Sequence, residues 1–218
     1  MSLQQHIQDY LQSFRKKVDI DIQSVMAQVT QDLINSGMAN KALQKGNYLP
    51  AFSLPNQLEN TVVSNEVLSQ GPMVLTFYRG GWCPYCNLEL RAYQQLLPKI
   101  QACGAQLVAI SPERPDHALS TAEKNDLKFE VLSDLNAAYA RSLGLVFTLP
   151  EVLRPIYESF GIHVEKHNGS GQFDLPLPAT YVIDKTGRVI SAFVDADYTK
   201  RQNPQEVLKA LEKIPVAA

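Results

Sequence analysis

The sequence predicts an α/β fold, in which helices flank a sheet that contains parallel strands. From Leu49 onward, short apolar runs alternate with stretches of helical periodicity, and this alternation is typical of βαβ units. The apolar runs predict strands at Ala51–Leu54, Met73–Tyr78, Leu107–Ile110, Glu130–Ser133, Thr180–Ile183 and Val189–Val194. Helices are expected between them, at Cys83–Ala102, Asp116–Asn125, Asn136–Leu143, Pro150–Phe160 (interrupted) and Pro204–Glu212.

The first 36 residues predict two amphipathic helices that end near Gly37. Apolar residues recur there at helical spacing: Leu3, Ile7, Leu11 and Phe14, then Ile22, Val25, Met26, Val29 and Leu33. We therefore divide the chain into a helical N-terminal extension, residues 1–44, and a following domain, residues 45–218. The apolar faces must be buried against that domain or against a second copy of the chain, in which case the protein is a homodimer.

Composition excludes several classes of protein. The net charge of -2 comes without any run of like charges, so we expect no nucleic-acid partner. The longest apolar runs have the length of strands and fall far short of the ~20 residues that a membrane-spanning helix needs, so no membrane partner is expected. The N-terminal segment lacks the apolar core of a secretory signal, which predicts a cytoplasmic protein.

Two of the three cysteines, Cys83 and Cys86, stand three residues apart. A zinc site would normally need four ligands, and no second cysteine pair is present. His163 and His167 are four residues apart, but they lie in a glycine-rich segment that predicts a loop. The cysteine pair is therefore interpreted as a redox centre that needs no metal, haem or flavin.

The predicted context of this pair is a strand, two glycines and the start of a helix. Cysteines three apart on a first turn lie on one face and are close enough to form a disulfide. The helix N-terminus stabilises a thiolate, which is the nucleophilic form. Pro84 suits this turn, since its fixed φ is already helical. A structural disulfide is the alternative.

Trp82 and Arg79 are the neighbours expected to assist. Trp82 would shield one side of the sulfurs. If the Arg79 guanidinium reaches the sulfurs, it would favour the thiolate and orient a polar substrate. The alternative for Arg79 is a solvated loop residue. Two further segments are weaker candidates: residues 195–201 line a cleft, bind a partner or form a solvated loop, and Glu113-Arg114-x-Asp116 is expected to cap a helix.

From about Leu49 to the C-terminus, the sequence resembles the alkyl hydroperoxide reductase/thiol-specific antioxidant (AhpC/TSA) family of peroxiredoxins and their thioredoxin-fold relatives. The segments that carry the resemblance are Lys45-Gly46-x-x-Leu49-Pro50-x-Phe52-x-Leu54, Val74–Tyr78 and Ala179-Thr180-Tyr181-Val182-Ile183-Asp184-x-x-Gly187, the last a strand and hairpin turn. The resemblance implies a thioredoxin-like fold with a central mixed sheet.

The active-site motif departs from that of typical peroxiredoxins, Phe-Tyr-Pro-x-x-x-Thr-x-x-Cys. Its final cysteine, which attacks peroxide, falls on Cys86. The motif's proline falls on Arg79 and its threonine on Cys83, while the family's activating arginine falls on Pro178. Another arginine would have to replace it in space.

The same replacements resemble thioredoxins, which have Trp-Cys-x-x-Cys and a cis-proline immediately before the corresponding strand. Trp82 and Pro178 match those positions and are expected to contact substrate. In thioredoxins the first cysteine attacks, which makes Cys83 the nucleophile. The two resemblances therefore disagree on which sulfur reacts first.

Three functions follow from these interpretations. The first is a thiol-dependent antioxidant peroxidase: Cys86 attacks a hydroperoxide, Cys83 closes the disulfide, and thioredoxin or another thiol reduces it. The second is a thioredoxin-like thiol-disulfide oxidoreductase with Cys83 as nucleophile. The third is a redox-sensing or interaction module whose N-terminal helices bind a partner.

Overall fold

A computed structural model describes residues 1–214 of the chain. Its helices are α1 (Leu3–Lys17), α2 (Ile20–Asn35), α3 (Met38–Lys41), α4 (Ser64–Gln70), α5 (Pro84–Ala102), α6 (Pro115–Lys124), α7 (Ala138–Ser142), α8 (Arg154–Ser159), α9 (Val164–Asn168) and α10 (Pro204–Leu211). Its strands are β1 (Ser53–Pro55), β2 (Thr61–Val63), β3 (Met73–Phe77), β4 (Gln106–Ser111), β5 (Glu130–Ser133), β6 (Val146–Thr148), β7 (Asp174–Pro176), β8 (Ala179–Ile183) and β9 (Val189–Val194). Within these residues, no helix is both long and apolar enough to cross a membrane.

A five-stranded mixed sheet forms the centre of the fold, in the order β5-β4-β3-β8-β9. Strands β3, β4 and β5 run parallel, whereas β8 pairs antiparallel with both β3 and β9. The predicted α/β fold with a mixed sheet is confirmed. Because the helices cover both faces of the sheet, β3 is buried along its whole length.

Alternate residues of β3 enter two separate cores. Met73, Leu75 and Phe77 lie in a core that also contains residues of α2, α7 and α8. Val74 lies in the opposite core, with residues of α1, α5, α6 and α10. The N-terminal helices α1 and α2 therefore pack on opposite faces of the sheet, and both reach the end of β3 that leads into α5.

The N-terminal helices pack on their own chain. Leu3 and Ile7 of α1 and Met26 of α2 are buried against the rest of the protein. Two partners were predicted for these apolar faces, and in the structure they pack against the domain that begins at residue 45. A homodimer and the division between residues 44 and 45 both stay predictions.

The structure differs from the prediction in its short elements. Strands β2, β6 and β7 were not expected, because three residues are too few to show an alternating pattern. The helix predicted over Asn136–Leu143 begins only at Ala138. Asn136 and Ala137 have left-handed φ values of 61° and 52°, which place the backbone N–H of Tyr139 on the Asp134 carboxylate.

Candidate active site

The loop between β3 and α5 carries the cysteine pair. Cys83 is the N-cap of α5, and Pro84 occupies the first turn as the sequence predicts. Gly80 has a φ of 154°, and a Cβ atom there would lie 2.3 Å from Nε1 of Trp82. Glycine is therefore required at this turn. Cys83 and Cys86 are free thiols, with exposures of 2% and 0%.

Glu113, which follows strand β4, holds the loop between β3 and α5 in place. Its buried carboxylate accepts hydrogen bonds from the Gly81 backbone N–H at 3.0 Å and the Thr121 hydroxyl at 3.2 Å, and it contacts His167 Nδ1 at 2.9 Å. The segment Glu113-Arg114-x-Asp116 lies at the start of α6, as predicted, with Arg114 as N-cap and Asp116 in the first turn, but no side chain caps the helix by a hydrogen bond. His167 was expected in a loop, but it lies in α9, where it can reach Glu113.

Arg201 supplies a guanidinium group beside the inner sulfur. Its Nη2 lies 3.3 Å from Sγ of Cys86, and its Nε lies 2.6 Å from Oε2 of Glu89. The carbonyl oxygens of Tyr198 and Lys200 accept hydrogen bonds from Nη1 at 2.6 and 2.7 Å. The segment 195–201 is thus not a solvated loop at Arg201, which is buried.

The sequence contained one signal for Arg201 that our interpretation did not use. Glu89 follows Cys86 by three residues on α5 and therefore faces the same side of the helix. A carboxylate on a buried helix face needs a cationic partner, because burial of an unpaired charge is costly. The sequence did not indicate which arginine would meet it.

Arg79 is the second buried guanidinium of the site. It is 4% exposed, so it is not the solvated residue that was the alternative. Its Nη1 lies 3.3 Å from the Tyr157 hydroxyl, and its Cζ lies 5.0 Å from the ring centre of Tyr198 and 5.3 Å from that of Phe147. Among residues 1–214, no carboxylate forms an ion pair with Arg79.

The two sulfurs differ in acidity. Burial opposes ionisation of Cys83, but the hydrogen bond with Cys86 and the charges of Arg201 and Arg79 outweigh burial and lower its pKa to about 6. Burial raises the pKa of Cys86 well above its usual value, and the bond to Cys83 raises it further. Of the two sulfurs, Cys83 is therefore the one whose ionisation its surroundings favour.

A cavity of about 370 Å³ opens at Cys83. Arg79 and Trp82 also line it, whereas Cys86 does not, since it lies beneath Cys83 against Arg201. Within the described chain, neither Arg79 Nε nor Trp82 Nε1 has a hydrogen-bond acceptor, although both atoms are buried. The more acidic sulfur and two unpaired N–H donors thus belong to residues of one cavity.

Pro178 differs from the thioredoxin pattern. The peptide bond before it is trans, because residues 1–214 contain no cis bond. The preceding strand β7 pairs with β6, and the Leu177 N–H donates to the Leu145 carbonyl at 2.8 Å, so the chain enters β8 in an extended form. Pro178 lines a cavity of only about 20 Å³ behind Arg79, outside the cavity at Cys83. Pro178 and Trp82, the two residues predicted to contact substrate, therefore line different cavities.

Comparison with known proteins finds peroxiredoxins and a thiol-disulfide oxidoreductase among the proteins that are similar to this chain. Peroxiredoxin Q, chloroplastic, of Populus jackii is 26% identical over 172 residues, which cover 79% of this chain and 70% of that protein. Thiol-disulfide oxidoreductase ResA of Bacillus thuringiensis is 26% identical over 143 residues, which cover 65% of each chain. The solved structure of peroxidoxin BcpB from Mycobacterium tuberculosis has the same fold, with a TM-score of 0.63 at 22% identity over 80% of this chain and 99% of that one.

The family assignment follows from the part of the chain that carries the site. The sequence model of the AhpC/TSA family matches residues 46–192, which include β3, the loop with both cysteines and the whole of α5. The extension with α1 and α2, and the segment with Arg201, lie outside this match. The chain belongs to the AhpC/TSA family.

Proposed function

We propose that this protein is a thiol-dependent peroxidase that reduces hydroperoxides through a cycle between the Cys83 and Cys86 thiols and their disulfide. The observation that carries the proposal is the cavity at Cys83. Cys83, whose pKa is lowered, lines it together with Arg79 and Trp82, and the buried Nε of Arg79 and Nε1 of Trp82, which have no acceptor within the described chain, suit the oxygen atoms of a peroxide. The reacting atoms of a disulfide substrate are sulfurs, which are weak acceptors.

Cys83 is the attacking sulfur in this proposal. Its thiolate attacks the terminal oxygen of the hydroperoxide and displaces the alkoxide, so an S–O bond forms and the O–O bond breaks. The products are a Cys83 sulfenic acid and an alkoxide, which takes up a proton from solvent. Arg79 stabilises the negative charge that moves onto the leaving oxygen. This assignment reverses the roles that the peroxiredoxin resemblance implies.

Cys86 is the resolving sulfur. It attacks the Cys83 sulfenic acid, an S–S bond forms, and the hydroxyl group leaves as water with the proton of the Cys86 thiol. Arg201 lies 3.3 Å from Cys86 and favours the charge that develops on that sulfur. Because both cysteines lie on the first turn of α5, ring closure competes well with further oxidation of Cys83.

An external thiol must return two electrons to the disulfide. Thioredoxin is one donor of this kind, and low-molecular-weight thiols are another. The cytosol keeps such thiols reduced, and a cytoplasmic setting is part of the proposal. Cys83 is 2% exposed, so a protein donor requires the walls of the cavity to move, whereas a small thiol fits within about 370 Å³.

One observation favours a second function, thiol-disulfide exchange. Cys83 is the acidic sulfur and faces the cavity, while Cys86 lies beneath it, and this order suits attack on a disulfide by the first cysteine. The burial of Cys83 opposes it, because a polypeptide disulfide, like a protein donor, reaches a sulfur enclosed by α1, α2 and α8 only if these walls move. Reduction of insulin by the native protein, lost in Cys83→Ser, would favour this function.

Peroxide titration of the reduced protein tests the proposal. One equivalent of hydroperoxide should remove both thiols and lower the intact mass by two hydrogens. Cys86→Ser should accumulate a sulfenic acid on Cys83 that dimedone traps, and Cys103→Ser serves as the control that changes neither result. Oxidation as slow as that of free cysteine would exclude a peroxidase. A trapped sulfenic acid on Cys86 in Cys83→Ser, with none on Cys83 in Cys86→Ser, would instead exchange the two roles.

A further inference from the structure

A ring of hydrogen bonds joins the loop between β3 and α5 to helix α6. The Gly81 N–H donates to Oε1 of Glu113 at 3.0 Å, and the Thr121 hydroxyl donates to Oε2 of the same carboxylate at 3.2 Å. The Gly81 carbonyl accepts a hydrogen bond from Nδ2 of Asn87 at 2.7 Å. Asn125 closes the ring, because its Nδ2 donates to Oδ1 of Asn87 at 2.8 Å and to the Thr121 carbonyl at 2.9 Å. Side chains thus bind both backbone polar groups of Gly81.

The ring is buried and lies apart from the cavity at Cys83. It has four buried side chains, and none of them lines that cavity. A Cβ atom on Gly81 would lie 2.1 Å from Oγ1 of Thr121, so the loop and α6 are in direct contact. A buried polar network whose members all have partners makes the structure around it rigid. The ring therefore fixes the loop without occupying space that a substrate needs.

The position of Gly81 is passed on to Cys83 by short connections. The Cys83 N–H donates to the Gly80 carbonyl at 3.0 Å, and the Cys83 carbonyl accepts a hydrogen bond from Nδ2 of Asn87 at 3.1 Å. The acidity of Cys83 depends on its hydrogen bond with Cys86 and on the charges of the two buried arginines described above. If the loop moved, the sulfur would leave these groups and its pKa would rise.

We propose that Glu113 is a positioning residue, which holds the loop at Gly81 so that the Cys83 sulfur keeps its place and its reactivity. The inference rests on the proposed function only in taking Cys83 as the attacking sulfur. Position and charge predict opposite effects of a substitution, because a negative charge nearby disfavours a thiolate. Loss of the Glu113 charge alone would therefore lower the pKa of Cys83, whereas loss of the loop position would raise it.

Two substitutions of Glu113 separate position from charge. Glu113→Gln keeps the length of the side chain and an oxygen for the Gly81 N–H, but it removes the charge. Glu113→Asp keeps the charge, but its shorter side chain cannot reach Gly81 and Thr121 together. Asp134→Glu is the matched control, since it changes the length of another buried carboxylate that accepts backbone N–H groups, at 2.8 and 2.9 Å.

The measured quantity is the rate at which iodoacetamide alkylates Cys83 in the reduced protein, followed by peptide mass spectrometry. A rise of one unit in the pKa of Cys83 lowers this rate about tenfold at pH 5, where little thiolate is present. We expect Glu113→Asp to show a deficit of about this size at pH 5 and to react within about twofold of the native rate at pH 9. Glu113→Gln and Asp134→Glu should stay within about twofold of the native rate at both pH values. A native rate in Glu113→Asp, or a faster reaction of Glu113→Gln at pH 5, would overturn the inference.

A second variant keeps the inference testable if Glu113→Asp does not fold. Thr121→Val has nearly the shape of the native residue and removes the hydrogen bond to Oε2 of Glu113. The loosened ring should lower the alkylation rate of Cys83 at pH 5 about threefold. An unchanged rate would contradict a role of the ring in the reactivity of Cys83.

Alkylation consumes no peroxide, so this measurement is independent of the proposed function. If Glu113→Asp is slow to alkylate and the native protein consumes no peroxide, the Glu113 assignment stands and the peroxidase is lost. If the native protein consumes peroxide rapidly and both proteins alkylate at the same rate, the peroxidase stands and the Glu113 assignment is lost.

Discussion

The two buried arginines of the site have opposite surroundings. Arg201 lies against the carboxylate of Glu89 at 2.6 Å, and the side chains of both are almost fully buried. Arg79 lies among the rings of Phe147, Tyr157 and Tyr198 without any carboxylate in the described chain. The first arginine has a carboxyl partner within the protein whether or not Cys83 is ionised. The second has the thiolate as its neighbouring anion, so its charge is available to the reaction.

Among the arginine substitutions, Arg201→Met has the largest expected effect, and the effect is on stability. Removing one partner leaves Glu89 buried without a cation, which typically costs ~3–5 kcal/mol. Burial already raises the pKa of Glu89, so the unpaired carboxyl protonates, and we expect the lower end, about 3 kcal/mol. The free energy of unfolding in urea, measured on the reduced protein, checks this.

Two variants control for the buried setting of that pair. The double variant Arg201→Met/Glu89→Gln should recover at least half of the loss, because no buried charge remains. Arg141→Met breaks an ion pair with Asp174 of the same length, 2.6 Å, but at the surface. It should cost less than about 1 kcal/mol. Similar losses for Arg141→Met and Arg201→Met would show that burial does not distinguish the two pairs.

Arg79→Met should affect reactivity more than stability. Methionine keeps an apolar contact with the surrounding rings, and no carboxylate loses its partner. The pKa of Cys83 should rise because a neighbouring positive charge is lost. A rise of one unit lowers the thiolate fraction about tenfold at pH values below the pKa. The second-order rate of peroxide oxidation, measured across pH, should show this deficit in acid and lose most of it above about pH 9.

Arg79→Lys is the matched control for charge. It keeps a cation without the planar group that lies against the rings, and it should restore most of the reactivity at acidic pH. If Arg79→Lys is as slow as Arg79→Met at every pH, the guanidinium acts through its hydrogen bonds and not through its charge.

The sequence predicted those structural features that depend on residues next to one another in the chain. The buried strand β3, the glycine turn and the Cys-x-x-Cys at the start of α5 are contiguous, and each was expected from local pattern alone. Arg201 was missed as the partner of Cys86 because 115 residues separate them, and a surface-like polar segment carries it. Pro178 was expected to contact substrate, and its trans peptide bond follows the three-residue ribbon of β6 and β7, which periodicity does not reveal. Contacts between residues that are far apart in the sequence could thus not be predicted from it.

The last expected effect is the pH dependence of stability that Cys83 produces through its hydrogen bond with Cys86 and the charges of both arginines. Its pKa of about 6 in the folded protein lies below the ~8.5 of an unfolded cysteine. A lowered pKa contributes stability that is fully present above the unfolded value and is lost as pH falls through the folded value. Reduced native protein should therefore gain stability over Cys83→Ser between about pH 6 and about pH 8.5, and thiolate absorbance at 240 nm should titrate near pH 6. The disulfide form has no Cys83 thiolate, so the same urea measurements on oxidised protein should lack this gain. A gain that persists after oxidation would assign it to another group, and Arg79 would then have no special dependence on the thiolate.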